Sequence, residues 1–235
     1  MIKKTIIFLI FSLFFLSGCE KKEPPLETPG DYMVSQNNHS NNAENETSPK
    51  GTLEESNMDN RSELPIKKDG QVSDELMELA SKKLALLPKN IEEAFFNDGW
   101  EIYLTDMDLN LTFYNGKYTS VLGNTIYGEG IIYIENNKEA VQQALLHEVG
   151  HWLDFHLGYL SDKEEFQTIF KNEAACYMQD YQTTCVRNSK ELFAESFWQY
   201  LENPHKLELL NPELYWFMKN TISNVQETYK SSEYN

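Results

Sequence analysis

The sequence predicts an α+β domain, a small sheet set beside a helical half, on three observations. Residues 100–105 (WEIYLT) and 130–135 (GIIYIE) are short runs rich in branched and aromatic side chains, as strands with a buried face are. From residue 138 onward apolar positions recur at three and four residues, through runs at 138–156, 164–178, 190–202 and 212–229, which reads as four amphipathic helices. Turn residues fall between the runs: Pro88 separates helical stretches at 74–87 and 91–96, and Asn115–Gly116 precede a further strand candidate at 118–122.

Taken in order, the chain begins with Lys3 and Lys4, an apolar run over 5–15, and LSGC at 16–19. The run is too short to span a membrane comfortably, and the pattern resembles a bacterial lipoprotein signal, cut before the cysteine that receives the lipid. The expectation is a signal peptide at 1–18, lipidation of Cys19, and a mature protein held to the extracellular face of the cell membrane by that anchor alone. Residues 19–71 are rich in Asn, Ser, Glu and Pro and poor in aromatic and branched apolar side chains, so they bury too little to offset their ordering entropy. Such a tether of roughly 50 residues has an r.m.s. reach of about 40 Å. His39 lies within it as a solvated residue. One folded domain is expected at 72–235.

Within that domain His147, Glu148, Val149, Gly150 and His151 spell HEVGH. Val141, Leu145, Val149 and Trp152 form one apolar stripe through the surrounding residues, so the motif sits on a helix. Histidines at i and i+4 leave the same face about 6 Å apart along the axis, close enough to share one metal ion. Glu148 then lies beside the metal, where a carboxylate can take a proton from a metal-bound water and pass it to a leaving amine. That chemistry is hydrolysis.

A hydrolytic zinc site has three protein ligands and one open position. The extended form HExxHxxGxxH would supply the third from the same helix, but Asp154 stands at its glycine and Leu157 at its third histidine. His156 is one position early and points away from the metal side. A carboxylate from a second helix fits better. Glu191 and Glu195 share one face of the helix at 190–202, and two carboxylates on a mostly apolar helix are costly unless something binds them. Glu191 is assigned to one Zn²⁺ ion, and Glu195 to the other ring nitrogen of a ligating histidine. Glu173, 22 residues after His151, is the reserve ligand.

HEVGHWLDFHLGYL, followed 40 residues after its second histidine by ELFAESF, resembles the catalytic domain of anthrax toxin lethal factor and the related secreted Pro-Pro endopeptidases. The resemblance covers roughly residues 100–218 and implies a small gluzincin-like (zincin-type) metalloprotease domain. It implies zinc on His147, His151 and Glu191, with Glu148 as general base, and substrate pairing along the strand before the active-site helix, here 130–135; the alternative for that strand is a fully paired interior position. The family carries a tyrosine seven residues before the ligand glutamate, where its hydroxyl steadies the oxyanion; this sequence has Thr184 there. Tyr181, three residues earlier, is the catalytic candidate for that role, against a plain surface tyrosine in a chain with 13 of them.

With Cys19 lipidated, Cys176 and Cys185 remain as a pair in an oxidising location, and a disulfide closing the short loop that holds Tyr181 is expected, the alternative being two buried thiols. The net charge of −17 repels phosphodiesters, so nucleic acid is excluded as a partner. A peptide or protein substrate and a monomer are expected. The reading is an extracellular, lipid-anchored zinc metalloendopeptidase. Two other classes fit the same residues: a catalytically weak peptide-binding relative, given Thr184, and a surface lipoprotein whose zinc is structural and closed by a fourth protein ligand.

Overall fold

The computed structural model describes residues 66–232, with side chains to residue 225. The expected signal peptide at 1–18, Cys19 and the tether as far as residue 65 lie outside the described residues. Residues 66–71 correct the expected boundary at 72. Ile66–Asp69 form a strand, β1, paired in parallel with β2 (Glu101–Thr105) in the register Ile66↔Ile102 to Asp69↔Thr105. This strand reads IKKD, with three charged residues in four, and only its partner makes it a strand.

The sheet has four strands in the order β1-β2-β4-β3. β4 (Ile131–Glu135) runs parallel to β2, and β3 (Gly123–Ile126) runs antiparallel to β4. Ile102 and Leu104 of β2 and Ile132 and Ile134 of β4 point inward and are buried, while Tyr103 and Tyr133 pair on the outer face. Two expectations fall here. The strand at 130–135 is interior, paired on both sides, so the edge beside the active-site helix is β3. The strand expected at 118–122 is a loop: Tyr118 exchanges backbone bonds with the Asn110 side chain, and β3 begins only at Gly123. Its sequence, GNTI, has little intrinsic strand preference and pairs because β4 is beside it.

Helices cover the inner face. Ser73 caps α1 (Asp74–Leu84) by accepting from Leu76 N, with Asp74 and Glu75 in the first turn and Lys82 and Lys83 in the last, an arrangement that suits the helix dipole. Pro88 separates the two helices as expected, α2 (Lys89–Asn97) beginning two residues ahead of the expected 91–96, and a short α3 (Leu109–Tyr114), which lacks an evident periodicity, fills the turn after β2. The helix predicted at 138–156 is divided at Ala144 into α4 (Lys138–Gln143) and α5 (Leu145–His156). No proline or glycine marks the break, which lies where the chain passes beneath Gly123 of β3. A 3₁₀ turn (Leu160–Asp162), α6 (Glu164–Asp180), α7 (Ser189–Glu202), α8 (Pro204–Leu210) and α9 (Pro212–Ser232) complete the helical half. No helix among the described residues is long and apolar enough to cross a membrane.

α5 is the buried spine of this arrangement. It lies against β3 and β4 on one side and α7 on the other, and every residue from Leu145 to Asp154 is buried. The crossing with α7 is closest at Gly150: a methyl there would sit 2.9 Å from Ala194 Cα and 3.1 Å from its carbonyl oxygen. Those neighbours are backbone and cannot rotate away. Gly150→Ala is therefore expected to force the helices apart and destabilise the metal-free protein by about 1–3 kcal/mol, read as a lower urea midpoint at an unchanged slope.

Candidate metal centre

His147 and His151 lie one turn apart on α5, and Glu191 enters from the first turn of α7. Asn188 caps α7 by accepting from the backbone N–H groups of Lys190 and Glu191, which fixes the start of the helix and the direction of Glu191. The result is a triangle of donors: His147 Nε2 lies 3.1 Å from His151 Nε2 and 3.3 Å from Glu191 Oε2, and His151 Nε2 lies 3.8 Å from the same oxygen. Tetrahedral ligands about 2.0–2.1 Å from a zinc ion sit about 3.3–3.4 Å from one another, so the triangle has the size of three zinc ligands. All three residues are at most 2% exposed, and Glu191 Oε2 accepts no hydrogen bond. A buried carboxylate oxygen facing two imidazole nitrogens calls for a cation.

These contacts polarise the two rings in opposite senses. Burial works against charge on His147, yet the Glu191 and Glu195 carboxylates close beside it hold its ring well above the ordinary histidine range. Burial pushes His151 down to about 3, with Glu191 opposing and His147 reinforcing the shift. The carboxylates thus favour the protonated ring at His147, and burial favours the neutral ring at His151.

The general-base candidate faces the sheet. Thr125 of β3 donates its hydroxyl to Glu148 Oε2 at 2.6 Å, and two residues earlier on the same strand Gly123 leaves the space that Glu148 fills: a methyl there would lie 2.7 Å from Glu148 Cγ and 2.8 Å from Oε1. Neither residue was singled out by sequence reasoning. A glycine two positions before a threonine in a short segment carries no signal until the segment is known to lie against the HEVGH helix.

Other expected residues fall into place or out of it. Glu195 sits one turn after Glu191, with Oε1 3.1 Å from His147 Nδ1, although the N–H points off the line to it. His156 faces away as expected: it stacks on Trp152 and its Nδ1 lies 2.6 Å from Asp98 Oδ2. Asp154, at the glycine position of the extended motif, instead accepts from the backbone and hydroxyl of Ser161 and ties down the loop after α5. Glu173, the reserve ligand, accepts from Asn211 and stands apart from the triangle.

Tyr181 packs between α6 and α8. Its ring stacks on Tyr177 at 4.4 Å, Lys206 lies over it at 4.2 Å, and its hydroxyl is buried with no hydrogen-bond partner; burial pushes its pKa up to about 12. Thr184, at the position of the family tyrosine, is exposed. The expected bond between Cys176 and Cys185 is not formed. Cys176 is on the solvent side of α6, while the Cys185 thiol turns inward far enough to feel Glu195 and His147.

The chain belongs to the anthrax toxin lethal factor N- and C-terminal domain family, whose model matches residues 54–221. That span also begins ahead of residue 72, in agreement with β1. Among solved structures it is similar to the Pro-Pro endopeptidase PPEP-2 from Paenibacillus alvei, with a TM-score of 0.54 and 20% identity over 66% of this chain and 96% of that one, a likeness of fold. No curated protein matches the chain.

Metal binding should expel a proton, because each imidazole must offer a lone pair and the neighbouring carboxylates favour the protonated form of His147. Zinc uptake at pH 7 is expected to release about one proton, and zinc affinity to rise with pH through neutrality. Calorimetry in buffers of different ionisation enthalpy measures this directly, and proton-neutral binding would contradict it.

Proposed function

We propose that this protein is a zinc-dependent metalloendopeptidase, tethered through a lipid on Cys19 outside the cytoplasmic membrane, that hydrolyses peptide bonds in surface or secreted proteins. The observation that carries the reading is the buried triangle of His147, His151 and Glu191 with Glu148 on the adjacent strand-facing side of the same helix. Three donors, and no fourth among the described residues, gather there, which favours a site with an open position over a closed structural one.

When bound, a zinc ion would polarise the scissile carbonyl and acidify a water. The chain supplies the rest. Glu148 accepts the proton of the attacking water and returns it to the leaving amine. Thr125 holds Oε2 of that carboxylate, so its orientation is set before the substrate arrives. β3, the edge strand, offers its unpaired side to an extended peptide, and main-chain pairing there would align the peptide past Glu148. A second reading, a weak peptide-binding relative, is favoured by the exposure of Thr184 and the packing of Tyr181 on Tyr177. A peptide library separates the two: turnover abolished by a chelator and restored by zinc supports the enzyme, whereas binding without turnover in the zinc-loaded protein supports the relative.

Glu148→Gln is expected to retain zinc and lose turnover by about 10²–10⁴-fold, and a variant of full activity would remove Glu148 from its role. Thr125→Val should lower kcat by about ten- to a hundredfold with little change in KM, and Thr125→Ser should restore it, as measured by steady-state kinetics on a cleaved library peptide.

A further inference from the structure

Glu195 Oε1 lies 3.1 Å from His147 Nδ1 with the N–H directed off that line, and a glutamate side chain turns about three torsions, so this contact alone constrains the ring weakly. Its other oxygen has a partner on a third helix. Tyr177 of α6, fully buried, donates its phenol to Glu195 Oε2 across 3.3 Å. One turn later Tyr181 lies flat against the Tyr177 ring, with an interplanar angle of 23°, and Lys206 of α8 covers Tyr181 in turn. The line therefore runs Lys206, Tyr181, Tyr177, Glu195, His147.

We propose that Tyr177, braced by Tyr181, is a positioning residue for the metal centre: by pinning Glu195 it holds His147 with Nε2 in the ligand triangle. The proposal rests on the reading of that triangle as a zinc site. A neutral imidazole has two tautomers, and a carboxylate fixed at Nδ1 selects the one whose lone pair is on Nε2, the atom that faces His151 and Glu191. With Tyr177 holding Oε2, the carboxylate loses the rotation that would carry Oε1 away from Nδ1. The phenol remains a donor throughout, since burial and then the charge of Glu195 keep its pKa well above the ordinary tyrosine range. Tyr181 takes a part different from the oxyanion donor expected of it: its ring, not its hydroxyl, does the supporting.

The test is a double-mutant cycle on the full chain, with zinc dissociation constants measured by competition against a chromophoric chelator. Tyr177→Phe is expected to weaken zinc binding by about tenfold, the lower end of the effect for partners of ligating histidines. In a Glu195→Gln background the same substitution should add less than about twofold, because its effect runs through Glu195. Tyr181→Phe keeps the ring and should change affinity by less than about twofold, whereas Tyr181→Ala removes the brace and should cost several-fold. Equal zinc affinity in Tyr177→Phe, or effects that simply multiply in the double variant as a general loosening of the fold would give, overturns the proposal. So does unchanged affinity in Tyr181→Ala, a variant that decides the matter even if Tyr177→Phe fails to fold. Wild-type protein that binds no zinc would instead overturn the metal-centre reading and this inference with it.

Discussion

The close crossing of α5 and α7 is the constraint on which the site depends. Gly150 and Ala194 meet at the contact, and the functional side chains flank it on both helices: His147 and His151 on either side of Gly150, Glu191 and Glu195 on either side of Ala194. Imidazole and carboxylate groups have short, fixed reach from their backbones. A donor triangle whose two edges between the helices measure 3.3 and 3.8 Å can form only if the axes lie near the lower end of ordinary packing distances. Larger residues at the crossing would pull the triangle open before they touched any ligand.

That closeness seals the polar groups into the core. Glu148, Glu191 and Glu195 are each at most 3% exposed, together with both histidines. Three buried carboxylates would be prohibitive if left without partners, since each isolated charge loses its hydration. The fold distributes them: Thr125 from the sheet answers Glu148, Tyr177 from α6 and the His147 ring answer Glu195, and Glu191 is turned toward the histidine pair. Every layer of the domain thus contributes one contact to the same centre. Networks of this kind hold a single arrangement when complete and lose it when any member is cut.

The sheet has a second consequence. Because β4 is interior, β3 is both the edge available for pairing and the strand that cradles Glu148 through Gly123 and Thr125. A peptide aligned along β3 would meet a base already oriented by that strand. Alignment of the substrate and placement of the base then have one structural source.

The HEVGH helix, the pairing of Glu191 with Glu195 and the two central strands were all legible in the sequence, because each is a local matter. Helical spacing fixes which side chains share a face, and runs of branched residues favour strands whatever surrounds them. The third corner of the donor triangle was legible for the same reason, as a pair of carboxylates too costly for an apolar helix. What lay beyond reach depended on long-range pairing. β1 and β3, IKKD and GNTI, are strands only because β2 and β4 lie beside them, so the domain boundary and the identity of the edge strand were misplaced. The break at Ala144, the separation of Cys176 from Cys185, and the turn of Tyr181 toward Tyr177 follow from packing between elements distant in sequence. The sequence by itself determined which side chains are candidates for the chemistry. The tertiary structure decided which of them meet, because donor distances are set by helix crossings and strand order, and neither is written in a local period.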